Sequence, residues 1–216
     1  MTKDTFIQAI QEGNITTVKL GLSDNPSLID AKTEQGLSVL LLAMYYRKND
    51  IVNVLLKNKK EFDFFEAAAA GQLDFVKKYL EDQPGILNQF AVDGFTGLGL
   101  SCFFNQKEIV SFLLQKGADP NIASNNDFKV APLHSAAATS QIEIVNILLQ
   151  NSANVNAKQS NGVTALHSAA HNGATELVKL LLKNGADKND KTQEGKSVLD
   201  FAKEGGFTEI INLLIK

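Results

Sequence analysis

Marked only as apolar or polar, the chain repeats two kinds of short run. One kind opens on a small or hydroxyl residue and continues with Leu and Ala: Thr96-Gly97-Leu98-Gly99, Ala131-Pro132-Leu133-His134, Thr164-Ala165-Leu166-His167 and Ser197-Val198-Leu199-Asp200. These starts lie 35, 33 and 33 residues apart. Each is followed at a near-constant offset by a bulkier aliphatic run: Ile109 to Leu114, Ile144 to Leu149, Leu177 to Leu182 and Ile210 to Leu214. The pattern predicts two short helices per period, and so fixed a period makes repetition the organising fact of the sequence.

The joints repeat as well. Gly117-Ala118-Asp119-Pro120-Asn121, Ser152-Ala153-Asn154-Val155-Asn156 and Gly185-Ala186-Asp187-Lys188-Asn189 follow the second run. A residue of positive φ is wanted there to end a helix. Polar glycine-bearing turns come next, Val92-Asp93-Gly94-Phe95, Ser160-Asn161-Gly162-Val163 and Gln193-Glu194-Gly195-Lys196, with hairpin chemistry. They deliver Thr96, Thr164 or Ser197 as an N-cap for the next helix. Pro132 falls at the first helical position, where its missing N–H costs nothing.

The two tetrapeptides Ala131-Pro132-Leu133-His134 and Thr164-Ala165-Leu166-His167, in register with the Gly-Ala-Asp-x-Asn loops, resemble the ankyrin repeat. The resemblance implies an all-α repeat solenoid of stacked helix pairs joined by short β-hairpin loops, curved, with a concave binding face. Weaker helix pairs extend it upstream, giving about seven in one domain over 1–216. The expected boundaries are 1–35 (N-terminal cap), 36–61 (a shortened repeat), 62–93, 94–129, 130–161, 162–194 and 195–216 (C-terminal cap). Two departures stand out. From Ser38 to its expected equivalent Phe62 the spacing is only 24, which predicts a tight turn in place of a hairpin. A two-residue expansion at Ser124 to Lys129 predicts a longer, more exposed finger. Both features are similar to those of a type of small ankyrin protein associated with bacteria, a likeness that implies no particular activity.

A stack of such pairs is stable only between neighbours, and its hairpin tips and inner-helix ends are left to face partners. The two positions after each small-residue pair therefore become candidates. They read Gln11 and Glu12, Tyr45 and Tyr46, Ala69 and Ala70, Phe103 and Phe104, Ala138 and Thr139, His171 and Asn172, and Glu204 and Gly205. The partner-binding set drawn from them and from the tips is Tyr45, Tyr46, Asp93, Phe95, Phe103, Phe104, Asn126, Asp127, Phe128, Lys129, Thr139, Asn161, His171, Asn172 and Glu194. The aromatic members are either anchors in the groove or rings packed into their neighbours.

Composition narrows the partner. A net charge of −3 lacks the basic excess that nucleic acid requires. No apolar run approaches the roughly 20 residues that span a bilayer. The N-terminus carries neither a signal-peptide core nor an anchor, and one cysteine, Cys102, forms no internal disulfide, so a cytoplasmic location is expected. His167 and His171 have metal-ligand spacing, but no carboxylate or thiolate completes a set, and the resemblance makes His134 and His167 structural. Cys102 occupies a small-residue position with no base nearby. Lys57, Lys59 and Lys60 read as a solvated helix end. The expectation is a monomeric, non-catalytic module that binds a protein partner as scaffold or adaptor, with no cofactor, metal or small-molecule substrate. The alternative is an inhibitor or immunity-type protein that blocks a partner enzyme.

Overall fold

The computed structural model describes residues 1–215 and contains fourteen α-helices among them. Two compact units are formed, Met1 to Glu66 and Ala67 onwards, and the division falls within one helix, α5 (Phe64–Ala70).

In the first unit, α1 (Lys3–Glu12) and α2 (Ile15–Asp24) form one pair, and α3 (Val39–Tyr45) and α4 (Asn49–Asn58) the next. Phe6, Ile10, Val18, Leu40, Ile51 and Leu55 are buried between them. Complete burial of such side chains contributes about 1.5–3 kcal/mol each. A short antiparallel bridge, Lys32 to Ser38, leads into α3, and Ser38 Oγ caps that helix by accepting the Leu41 N–H at 3.3 Å.

After α4 no hairpin forms. The turn is held instead by an ion cluster of two buried members, Lys59 and Glu66, and one exposed one, Asp30. Lys59 Nζ lies 2.8 Å from Asp30 Oδ1 and 3.4 Å from Glu66 Oε2, and Glu66, like Lys59, is only 4% exposed at its side chain. Burial alone would lower the Lys59 pKa, but the hydrogen bond to Asp30 and the charges of Glu66 and Asp30 outweigh it and hold it above the ordinary 10.5. This corrects the reading of Lys59 as part of a solvated helix end. Its ammonium is drawn inward because a buried carboxylate needs a paired charge. The capping residue of α5 is Asp63, one position past Phe62: Asp63 Oδ1 accepts the Glu66 N–H at 2.8 Å and Glu66 Oε2 accepts the Asp63 N–H at 3.1 Å. Phe62 is buried.

The second unit continues with α6 (Leu73–Asp82) and then four helix pairs: α7 (Gly97–Phe103) with α8 (Lys107–Gln115), α9 (Pro132–Ala138) with α10 (Ile142–Gln150), α11 (Ala165–His171) with α12 (Thr175–Lys183), and α13 (Val198–Glu204) with α14 (Thr208–Ile215). Helices α7, α9, α11 and α13 pack side by side as an inner row, and α6, α8, α10, α12 and α14 form the outer row. Alanines make the inner row close-packed: Ala136, Ala137, Ala169 and Ala170 are completely buried. Thr96, Thr164 and Ser197 cap the inner helices as their sequence positions predict, accepting the N–H of Gly99, His167 and Asp200 respectively.

Three of the outer helices, α8, α10 and α12, end in a common way. The Ala118 N–H donates to the Leu113 carbonyl and the Gly117 N–H to Leu114, a pattern repeated by Ala153 and Ser152, and by Ala186 and Gly185. This pair of hydrogen bonds places the residue after the cap at positive φ. Gly117 has φ 91° and Gly185 86°, and Ser152 is forced to 66°.

Candidate protein-binding face

Hairpin tips lie along one side of the second unit and are joined edge to edge. The Asn125 N–H donates to the Gly94 carbonyl at 2.7 Å, Ser160 to Phe128 at 3.0 Å, and Gln193 to Asn161 at 2.9 Å. Three tips are closed by a glycine, such as Gly94 at φ 85°, and the finger by Lys129 at φ 53°, each with its N–H returning to the carbonyl three residues earlier. The expanded finger is pinned from inside. Ser124 N–H donates to the Val130 carbonyl, Val130 N–H donates to Ser124 Oγ, and Asn126 Oδ1 accepts from both Ser124 Oγ and the Phe128 N–H.

These bonds sort the candidate residues by what they still have to offer. Asn126 spends its carbonyl oxygen inside the finger and donates Nδ2–H to the Asp93 carbonyl at 2.9 Å. Asp93 Oδ1 accepts the Phe95 N–H, and Asn161 Oδ1 accepts the Val163 N–H. Thr139 Oγ1 donates to the Ser135 carbonyl and accepts from Gln141. Asn172 Nδ2 donates to the Ala138 carbonyl and to Ser140 Oγ. These side chains build the face. Asp127, Phe128, Lys129, His171 and Glu194 are exposed on it, Phe128 by 67% of its surface.

The aromatic residues are neither free in solvent nor fully buried. Phe103 and Phe104 are half-buried, with ring centroids 5.0 Å apart and planes at 87°. Phe95 is half-buried beside Gly99, where an added methyl carbon would lie 3.6 Å from its ring. Tyr45 and Tyr46 belong to the first unit, the former half-buried and the latter half-exposed.

Phe201 was not singled out from sequence, although a signal for it exists. At repeat spacing the inner-helix column reads Leu100, Ser135, Ser168, Phe201. The large ring, after serines in the two preceding repeats, is half-buried and meets two imidazoles edge to face, His167 at 5.5 Å and His171 at 5.8 Å. The result is a cavity of about 220 Å³ lined by Ala138, Val163, His167, Ser168, His171, Asn172 and Phe201.

Two histidines serve the scaffold. His134 Nδ1 accepts the Ala131 N–H at 3.1 Å and its Nε2–H donates to the Ala157 carbonyl at 2.8 Å. His167 Nδ1 accepts from the Thr164 N–H and Oγ1–H, while its buried Nε2 makes no hydrogen bond. The Lys196 and Asp190 backbones partly oppose the effect of burial on its pKa. Burial lowers both pKa values from 6.5, so both rings are neutral at neutral pH. Cys102 is completely buried and its thiol pKa is raised by that burial. Among the described residues no group of three or more His, Cys, Asp or Glu could hold a metal ion, and no helix is long and apolar enough to cross a membrane.

A repeating helix pair, hairpin tips joined in a row and an inner face left unpacked define a repeat scaffold. The comparisons say which one. Residues 64–159 match the family described as ankyrin repeats (3 copies), and residues 148–202 match ankyrin repeats (many copies). The chain belongs to the ankyrin-repeat family. Similar proteins include human transient receptor potential cation channel subfamily A member 1, 36% identical over 115 residues, covering 51% of this chain and 10% of that protein. Ankyrin repeat and SAM domain-containing protein 6 of Rattus norvegicus is 38% identical over 109 residues, covering 50% of this chain and 12% of its own. The chain thus spans only about a tenth of either. The probable 26S proteasome regulatory subunit p28 of Saccharomyces cerevisiae is 29% identical over 173 residues, covering 73% of this chain and 74% of that one. Ankyrin repeats are protein–protein interaction modules, typically without catalysis of their own.

Proposed function

We propose that the chain is a cytoplasmic scaffold or adaptor that holds a partner protein against the inner-helix ends and hairpin tips of its second unit, without turnover. The observation that carries this reading is the half-buried set Phe95, Phe103 and Phe104. Rings of this kind have one side fixed by the fold and one side available, and aromatic anchors on such a base concentrate binding energy. Phe128 on the finger supplies a further exposed apolar group beside them.

The test compares binding with stability. The partner is captured from the source cell with the wild-type chain and identified, and its affinity is then measured for Phe103→Ala and Phe104→Ala. As anchors, these residues lose about 2 kcal/mol or more of binding energy on truncation. Their unfolding midpoints shift by well under the roughly 3–5 kcal/mol of a fully buried aromatic. A large loss of stability, or unchanged affinity in both variants, would overturn the reading. If the captured partner is an enzyme whose activity falls on binding, the role is inhibition rather than scaffolding.

A further inference from the structure

We infer that the inner face of the second unit contains a two-part subsite for an extended segment of the partner, with one aromatic or branched aliphatic side chain and, two residues along, a lysine or arginine. The inference rests on the reading that this face binds protein, and it specifies which chemistry binds where.

The first part is the cavity beside Phe201. Its wall is formed by the rings of His167, His171 and Phe201 and the aliphatic groups of Ala138 and Val163, with Ser168 and Asn172 completing it, and no Asp, Glu, Lys or Arg lines it. Its volume is about 220 Å³. A cavity of about 150 Å³ suffices for benzene. One ring or branched chain therefore fits, and a second does not. A charged side chain placed there would lose hydration and meet no opposite charge among the lining residues.

The second part adjoins the first. A smaller cavity of about 160 Å³ shares Val163 and Phe201 as a common wall and is otherwise lined by Asn161, Thr192, Gln193, Glu194 and Lys196. Its two charges are not equivalent. Lys196 Nζ is bound to Glu204 Oε1 at 2.7 Å and sits 5.6 Å from the centre of the Phe201 ring. Glu194 is exposed and makes no ion pair among the described residues. With the lysine neutralised by Glu204, the remaining charge is the Glu194 carboxylate, and its complement is a cation.

Two pockets separated by one side-chain thickness suit an extended peptide, where residues i and i+2 point to the same side about 6.5–7 Å apart.

The probe is the synthetic peptide acetyl-Gly-Phe-Gly-Lys-Gly-amide, titrated into the isotopically labelled full chain while backbone amide shifts are followed by NMR. The expected result is saturable shifts at Val163, His171, Glu194 and Phe201. Replacing the peptide's Phe by Ala weakens binding about tenfold or more, as loss of a buried aromatic side chain requires. Replacing its Lys by Glu weakens binding by up to about fivefold, an effect that high salt reduces. On the protein, Ala138→Met fills the first cavity from an exposed helix end and removes binding, whereas Glu194→Gln abolishes the preference for Lys over Glu; neither alters the unfolding midpoint. Absence of saturable shifts, equal affinity of the Phe and Ala peptides, or an Ala138→Met protein that binds as wild type overturns the subsite. Shifts centred instead on Phe95, Phe103 and Phe104 also overturn it while leaving the inner face as the binding surface, and the Phe103→Ala and Phe104→Ala measurements judge that wider reading separately.

Discussion

Ser152 is the residue whose replacement most directly tests how the repeats are terminated. It occupies the position after the cap of α10, where Gly117 and Gly185 stand in the preceding and following units, and it adopts φ 66°. An L-residue in this left-handed region costs roughly 1–2 kcal/mol, because Cβ crowds the following carbonyl. Nothing offsets that cost through contacts. Ser152 is exposed, its hydroxyl makes no hydrogen bond among the described residues, and a Cβ added at Gly117 or Gly185 would meet no atom within 4 Å. Its carbonyl accepts from Asn121 Nδ2, a backbone contact that any substitution retains. Glycine is freer in the unfolded chain, which takes back about 0.5–1 kcal/mol. The expected net gain for Ser152→Gly is about 0.5–1 kcal/mol, or about 1–4 °C in Tm for a chain of this size. Thermal and urea unfolding measure it, with an unchanged urea slope showing that the unfolded state is the same. Ser152→Ala is the control, since it keeps Cβ and removes only the hydroxyl, and no comparable gain is expected. An unchanged or lowered midpoint for Ser152→Gly, or an equal gain from Ser152→Ala, would refute the argument.

Two further predictions concern buried polar side chains. Ser101 Oγ–H lies within hydrogen-bond reach of the Gly97 and Ala68 carbonyls at 2.8 and 3.1 Å, whereas the buried Ser135 Oγ of the next inner helix has no partner among the described residues. Ser101→Ala therefore loses about 1 kcal/mol and Ser135→Ala gains a comparable amount, and chemical denaturation giving the same sign for both would contradict the assignment. His134 and His167 have pKa values lowered from 6.5 by burial, against the partial opposition of backbone carbonyls. Below pH 6.5 the unfolded chain thus binds protons that the folded chain does not, so stability is retained above that pH and falls as acid is added through it. His134→Gln should flatten this slope between about pH 7 and 5, and an identical slope in variant and wild type would place the proton uptake elsewhere.

Local chemistry written into the sequence determined the repeating part of this protein. Thr96, Thr164 and Ser197 cap helices because a hydroxyl three residues before an amide reaches it whatever surrounds it. The recurrence of the caps and the aliphatic runs disclosed the helix pairs, and even the positive φ at Ser152 followed from its place in the period. A second recurrence was equally legible and passed unread. Gly13, Gly71, Gly173 and Gly206 hold positive φ between the paired helices, and Arg47, Asn105 and Ser140 fill the same place in the other units at 54°, 61° and 56°.

What tertiary structure alone decided is where long side chains go. Lysine at the end of α4 is solvated by default, and only the approach of Asp30 and Glu66, 29 residues before and seven after in the chain, draws Lys59 inward. The inner face shows the same limit. Periodicity assigned Phe103, Phe104 and His171 to it, but how far each ring sinks depends on its neighbours one repeat away. The cavity beside Phe201 exists because a ring from α13 meets His167 and His171 from α11, side chains about one repeat apart in sequence. A repeat specifies its own backbone through contacts a few residues apart, while the space between two repeats is set by the pair of side chains that happens to face across it.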